Sequence, residues 1–163
     1  MSVSDRKSVI LFFIDGLGIG EADDRNPLYL LDGTEALGYF KYTANVVPYG
    51  GVMRETDPRL GIDGRPQSAS GQTTILTGVN AATLLGYHKN GFPNERLRGV
   101  LADASVFALL KSAGVEDLIF ANAYTPRFFA APPRWKSATT VAVESAGLQF
   151  RRLPDLLGRH AIY

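Results

Sequence analysis

The run Val9-Ile-Leu-Phe-Phe-Ile14 does more than any other feature to constrain what this chain can fold into. It is apolar throughout, rich in β-branched and aromatic residues, and it stops at Asp15-Gly-Leu-Gly-Ile-Gly20. A strand with one wet face would alternate polar and apolar residues. A run with no polar face calls for cover on both sides, as in a parallel sheet packed between helices. The expected fold class is therefore α/β, with a parallel-rich sheet flanked by helices. In open sheets of that kind ligands bind beyond the carboxyl ends of the strands, and Asp15 stands at that point. A membrane-spanning helix needs about 20 apolar residues, far more than this run holds. The run is also too short for a signal peptide, and the polar stretch Met1–Lys7 before it is a poor flank. A soluble, cytoplasmic protein is expected.

The rest of the chain divides by its punctuation. Glu21–Asp32 reads as loop, and Val46–Met53 as a strand or hairpin broken by Pro48 and Gly50-Gly51. Asp57–Pro66 is a long loop holding Pro58, Gly61, Gly64 and Pro66; loops of that length inside a domain are often functional. A helix is predicted to open near Ser68–Ser70 and to close at Gly78, followed by an irregular stretch from Ala82 to Arg98. Asp103 or Ser105 can cap a helix running through Ala113 with Gly114 as its stop, and Ser137 can cap another over Ala138–Ala146 ended by Gly147. Asp117–Tyr124 and Leu148–Arg152 read as strands, and Pro154–Leu157 as a helical turn. The apolar residues at His160–Tyr163 suggest a segment just beginning, so the chain is expected to be the N-terminal portion of a longer α/β domain. Residues 1–84 would carry its chemistry, and part of 85–163 would belong to a cap region.

Composition removes several function classes. The chain has 163 residues with 17 basic and 16 acidic ones, a net charge of +1. That balance offers no field to attract nucleic acid or an anionic membrane, and neither is expected as a partner. With no cysteine, thiolate metal sites and cysteine nucleophiles are excluded. The 45% apolar content supports a folded core.

Two residues are candidates for chemistry. Asp15 follows the apolar run and precedes three glycines, which leave room for a metal or phosphate to approach the backbone. It can equally be a turn aspartate bonded to its own loop. The glycines do not make a dinucleotide fingerprint, because Glu21 stands where the last glycine is needed. Ser68 lies where the long loop enters a helix, so its hydroxyl can be activated there and nearby amides can hold a phosphate oxygen. It, or Ser70, can also be a plain helix cap. The segment has Gly71-Gln72-Thr73 where a P-loop has Gly-Lys-Ser/Thr, and it has no Gly-x-Ser-x-Gly elbow.

Together, Val9–Gly18 and Ser68-Ala-Ser-Gly-Gln72 resemble the opening strand with its metal aspartate, and the nucleophile loop, of cofactor-independent phosphoglycerate mutases and phosphopentomutases. These enzymes belong to the alkaline-phosphatase superfamily. The resemblance covers about the first half of the chain, and it implies a metal-dependent phosphatase or phosphomutase. Asp15 becomes a metal ligand, and Ser68 both nucleophile and metal ligand, in a site for two divalent ions, Mn²⁺ or Zn²⁺. The substrate becomes a small phosphorylated molecule. Two departures stand out. Gln72 replaces the histidine that usually follows the loop's glycine. After Ser68, the family's further Asp and His motifs are missing, for the only histidines are His88 and His160. The chain is thus expected to supply only part of the metal site and to be inactive alone.

Other features have two readings each. His88, in a Tyr-His-Lys-Asn loop, and His160 are expected to be solvated rather than ligands. Arg127, Arg134, Lys136, Arg151 and Arg152 could line a phosphate-binding surface or be scattered surface charge. The aromatic stretch Tyr124–Trp135 could be a substrate cap or core packing. Beside the enzyme, the sequence admits a non-catalytic fragment or binding module that forms homo-oligomers, and a nucleotide-binding domain.

Overall fold

The computed structural model describes residues 8–31, 38–43 and 47–163. They fall into two compact units, divided between Thr56 and Asp57. Among the described residues 38% are helical, 4% lie in strand or bridge positions, and there is no sheet. The expected parallel-rich α/β fold is therefore not what this chain forms.

The first unit shows why. Val9–Ile14 takes no strand assignment and lies exposed, with Val9 at 93% and Ile10 at 88% of full accessibility. The apolar pattern describes what would suit the segment, namely neighbours on both sides. A ladder has to be supplied by other strands, and an extended segment without them leaves its N–H and C=O groups to water. Elsewhere in the unit, Pro27–Leu30 forms a one-turn helix, α1, within the stretch expected to be loop. Pro27 supplies the fixed φ of a first helical position, and the Asn26 side chain accepts from Leu28 N–H at 3.1 Å. Pro48–Gly50 is a 3₁₀ turn where a strand or hairpin was expected; Val46 lies outside the described residues. Replacing Ile10 by Ser should change unfolding free energy by less than about 0.5 kcal/mol, the usual range for an exposed site. A loss of about 2 kcal/mol or more in chemical denaturation would instead indicate a buried position.

The second unit is helical. Its helices are α2 (Ser68–Thr77), α3 (Ala81–Leu85), α4 (Glu95–Ala104), α5 (Val106–Ser112), α6 (Pro126–Ala130), α7 (Ala138–Ser145) and α8 (Leu153–Leu157). Gly78 ends α2 in the left-handed conformation, φ 71°, and its N–H closes on Thr74 C=O. The helix predicted to start from Asp103 or Ser105 is α5, and Ser105 is its cap. Asp103 lies inside α4, while buried Ser105 caps α5 by accepting from Ala108 N–H at 3.2 Å. Ser105→Ala should cost about 1 kcal/mol, the typical worth of such a cap, read as a lower denaturation midpoint. Ser137 caps α7 in the same way through Thr140 N–H at 3.1 Å.

The helices α2, α4 and α7 enclose the core. Leu76 from α2, Leu101 from α4 and Ala138, Val141 and Ala142 from α7 form one buried cluster, with Phe107 of α5 packed on it. Ala69, Ala81 and Leu97 form a second, flanked by Leu84 and Leu85. Small residues on α7 let the helices approach closely, and branched side chains from α2 and α4 fill the space between. The two expected strands of this half shrink to single parallel bridges, Asn122 with Ile162 and Ala123 with Arg151. Tyr124, Phe128 and Phe150 meet there, with ring centroids 4.4 to 5.5 Å apart, and pack this end through aromatic contact rather than a ladder.

Candidate functional site

Asp15 and Gly16 form a turn, with Gly16 at φ +79°, a conformation open to glycine at little cost. Asp15 is exposed and lines an open hollow with Gly16–Gly20, Glu21, Asp23, Arg25 and Asn26. The far end of this loop is held by its own residues. Asn26 Nδ2 donates to Glu21 C=O at 2.8 Å, and Lys41 N–H donates to Gly20 C=O at 2.8 Å. A Cβ on Gly20 would fall 2.6 Å from Asn26 Nδ2. Gly20 thus lies against the Asn26 amide, while a Cβ on Gly16 or Gly18 would meet nothing within 4 Å among the described residues.

Charge in the hollow is partly neutralised. Arg25 pairs with Asp23 and holds its carboxyl below the usual range, and Lys41 pairs with Glu21 at 3.1 Å. The hydrogen bond that the Lys41 ammonium donates to Glu21 in turn raises its pKa above the ordinary value.

Ser68 is the first residue of α2, half-buried, after the extended Gln67. Gln67 makes no side-chain cap, and its carbonyl accepts from Gly71 N–H at 2.9 Å. Ser70 is fully buried and has a structural role. Its Oγ accepts from Lys89 N–H at 3.1 Å and donates to Gln67 C=O at 3.3 Å. Of the two serines, Ser68 is the more accessible. Asp15 belongs to the first unit and Ser68 to the second.

The loop before Ser68 is more ordered than its composition suggests. Asp57 accepts from Arg59 N–H at 3.0 Å, and that bond lowers its carboxyl from the usual value; the charges of Arg59 and His88 act in the same direction. A depressed carboxylate pKa adds stability above the unfolded value, and that contribution is lost as pH falls through the lower folded value. The turn at Asp57 should therefore persist through mild acid and loosen only below the ordinary aspartate range, as followed by the Asp57 carboxyl carbon in NMR. A midpoint at or above the ordinary value would contradict it.

His88 is not a solvated loop residue. It is half-buried, with Nε2 3.1 Å from Ile62 C=O. His160 is exposed near the end of the described chain. Four of the basic residues have partners of their own. Arg134 lies over Trp135, Arg152 sits 3.8 Å from the Phe129 ring centre, and Lys136 and Arg151 pair with Glu144 and Asp155 at 2.8 and 3.5 Å. Arg127 is exposed on α6.

Among the described residues no three carboxylate or histidine side chains are grouped as a metal would require. Asp15 and Ser68 each offer an oxygen donor of a kind that divalent ions accept. Among the described residues no helix is long and apolar enough to cross a membrane. No protein-family model, curated protein or solved structure matches the chain.

Proposed function

We propose that this chain contributes the phosphoryl-accepting hydroxyl, Ser68, and a metal-binding carboxylate, Asp15, to metal-dependent phosphoryl transfer on a small phosphorylated substrate. The observation that carries the proposal is the position of Ser68: a half-buried serine opening a helix whose far side is fixed in the core through Ala69, Thr73 and Leu76. A rigid platform of this kind suits a group that must meet phosphorus in line. The helix N-terminus favours negative charge on the phosphoryl oxygens. As the Ser68 Oγ–P bond forms, the bond from phosphorus to the leaving oxygen breaks, and the hydroxyl proton departs to solvent. The phosphoryl group then passes to water in a phosphatase or to a substrate hydroxyl in a mutase. Divalent ions, Mn²⁺ or Zn²⁺, supply charge neutralisation when bound, with ligands beyond Asp15 and Ser68.

The test is hydrolysis of an activated aryl phosphate, with and without Mn²⁺ or Zn²⁺, by the chain completed with the remaining metal ligands, together with metal titration. Turnover that depends on the ion supports the proposal, and its absence at saturating metal counts against it. Asp15→Asn should weaken Mn²⁺ or Zn²⁺ binding at least about tenfold, since a neutral amide replaces a charged ligand. Unchanged affinity in calorimetry would remove Asp15 from the metal site.

The exposed run Val9–Ile14 favours an alternative of a different class, a non-catalytic module that self-associates through this apolar segment. Sedimentation of Phe12→Asp beside the parent separates the two. Concentration-dependent association lost in the variant favours the module, and a monomer in both excludes it.

A further inference from the structure

The loop ahead of Ser68 is gripped by one short stretch of chain. Leu60 sits at φ 56°, a left-handed conformation that a Leu side chain resists. Its carbonyl is held from two directions, by Asn80 Nδ2 at 2.8 Å and Thr83 Oγ1 at 3.3 Å. Two residues on, Ile62 C=O meets His88 Nε2 at 3.1 Å. A Cβ on Gly64 would lie 3.6 Å from His88 Cδ2, so the imidazole follows the loop past Ile62. The next residue, Lys89, grips α2 itself. Its N–H donates to Ser70 Oγ at 3.1 Å, and its C=O accepts from Ser70 N–H at 3.3 Å. His88 and Lys89 are adjacent, so the imidazole holds the loop while the neighbouring backbone holds the first turn of the helix. A strained residue kept in place by surrounding bonds is the kind of feature found where geometry is maintained for function.

We propose that His88 is a positioning residue for Ser68: its ring locks loop 57–66 onto the segment that grips the first turn of α2, and so fixes the approach to the Ser68 hydroxyl. The role is in placement, with no contact between the imidazole and the reacting atoms. It rests on Ser68 as the phosphoryl acceptor. The ring donates through Nε2–H, a function that a Gln amide can reproduce and an Ala methyl cannot.

The experiment compares the parent chain with His88→Ala and His88→Gln by amide hydrogen exchange, alongside metal-dependent aryl phosphate turnover. In His88→Ala, exchange at residues 60–69 should quicken about tenfold or more, with α4 and α7 unchanged, as expected for release of a local unit. His88→Gln should restore it. Where turnover is measured, kcat should fall at least about tenfold in His88→Ala with KM little changed, and recover in His88→Gln, because a misplaced acceptor loses rate more than binding. Unchanged exchange in His88→Ala overturns the lock, as does equal quickening across α4 and α7. Unchanged kcat with a released loop overturns the positioning role. Loop release in His88→Ala beside turnover that survives Ser68→Ala rejects Ser68 as acceptor and still supports the lock, so the two failures are distinguishable.

Discussion

Replacing Ser68 by Ala should reduce metal-dependent phosphoryl transfer on the order of 10³-fold or more while leaving the fold intact. Loss of a nucleophile removes the covalent path and leaves only what positioning and charge neutralisation give to direct attack by water. Ser68 is the first residue of α2 and only half-buried, so removing its hydroxyl leaves no core cavity. Ser70, two residues on, provides the contrast. Its Oγ is tied into the Gln67 and Lys89 contacts, so Ser70→Ala should lower stability by roughly 1–3 kcal/mol, the cost of leaving buried partners unsatisfied. The two serines are separated by measuring turnover and unfolding midpoints in both variants. Near-normal turnover in Ser68→Ala would reject the assignment whatever Ser70→Ala does.

The largest loss of stability should come from Leu101→Ala. Leu101 is fully buried on α4 and packs into the cluster shared by α2 and α7. Truncating it removes hydrophobic transfer energy and opens a cavity that three helices cannot close without moving. The expected cost is about 2–5 kcal/mol. That is a large part of the roughly 5–15 kcal/mol by which domains are usually stable. In urea the midpoint should fall while the slope holds, the signature of a stability change without a change in compactness. A shift as small as that expected for Ile10→Ser would mean that the α2–α4–α7 cluster is not the core.

Features specified by local chemistry were legible in the sequence. The stop of α2 at Gly78 and the serine caps of α5 and α7 could be read because cap and glycine lie within a few residues of the groups they satisfy. Two further caps carry the same signal. Asn80 accepts from Thr83 N–H ahead of α3, and Asn94 from Leu97 N–H ahead of α4, two helices that reach into the stretch Ala82 to Arg98 read as irregular. The glycine at 86 closes α3 and completes its signature. The strand expectations failed for the opposite reason. Val9–Ile14, Asp117–Tyr124 and Leu148–Arg152 have strand composition, but a strand exists only through distant partners, and its own residues do not reveal whether those are present. His88 was misread on similar grounds, since its partner at Ile62 lies 26 residues away in the chain. Ser68 was singled out through its place at the start of a helix, and there it stands. Of the glycines after Asp15, which suggested room for a ligand, Gly20 lies against Asn26, a neighbour the sequence did not point to.

The most direct test of the central claim is the site of covalent phosphorylation. The protein, completed with the remaining metal ligands and loaded with Mn²⁺ or Zn²⁺, would be mixed with an activated aryl phosphate, quenched in acid and mapped by fragment-ion mass spectrometry. The prediction is one phosphoryl group on Ser68, dependent on the metal and absent from Ser68→Ala. Metal-dependent turnover with the phosphoryl group on another residue, or no phosphorylated residue at saturating metal and donor, would contradict it.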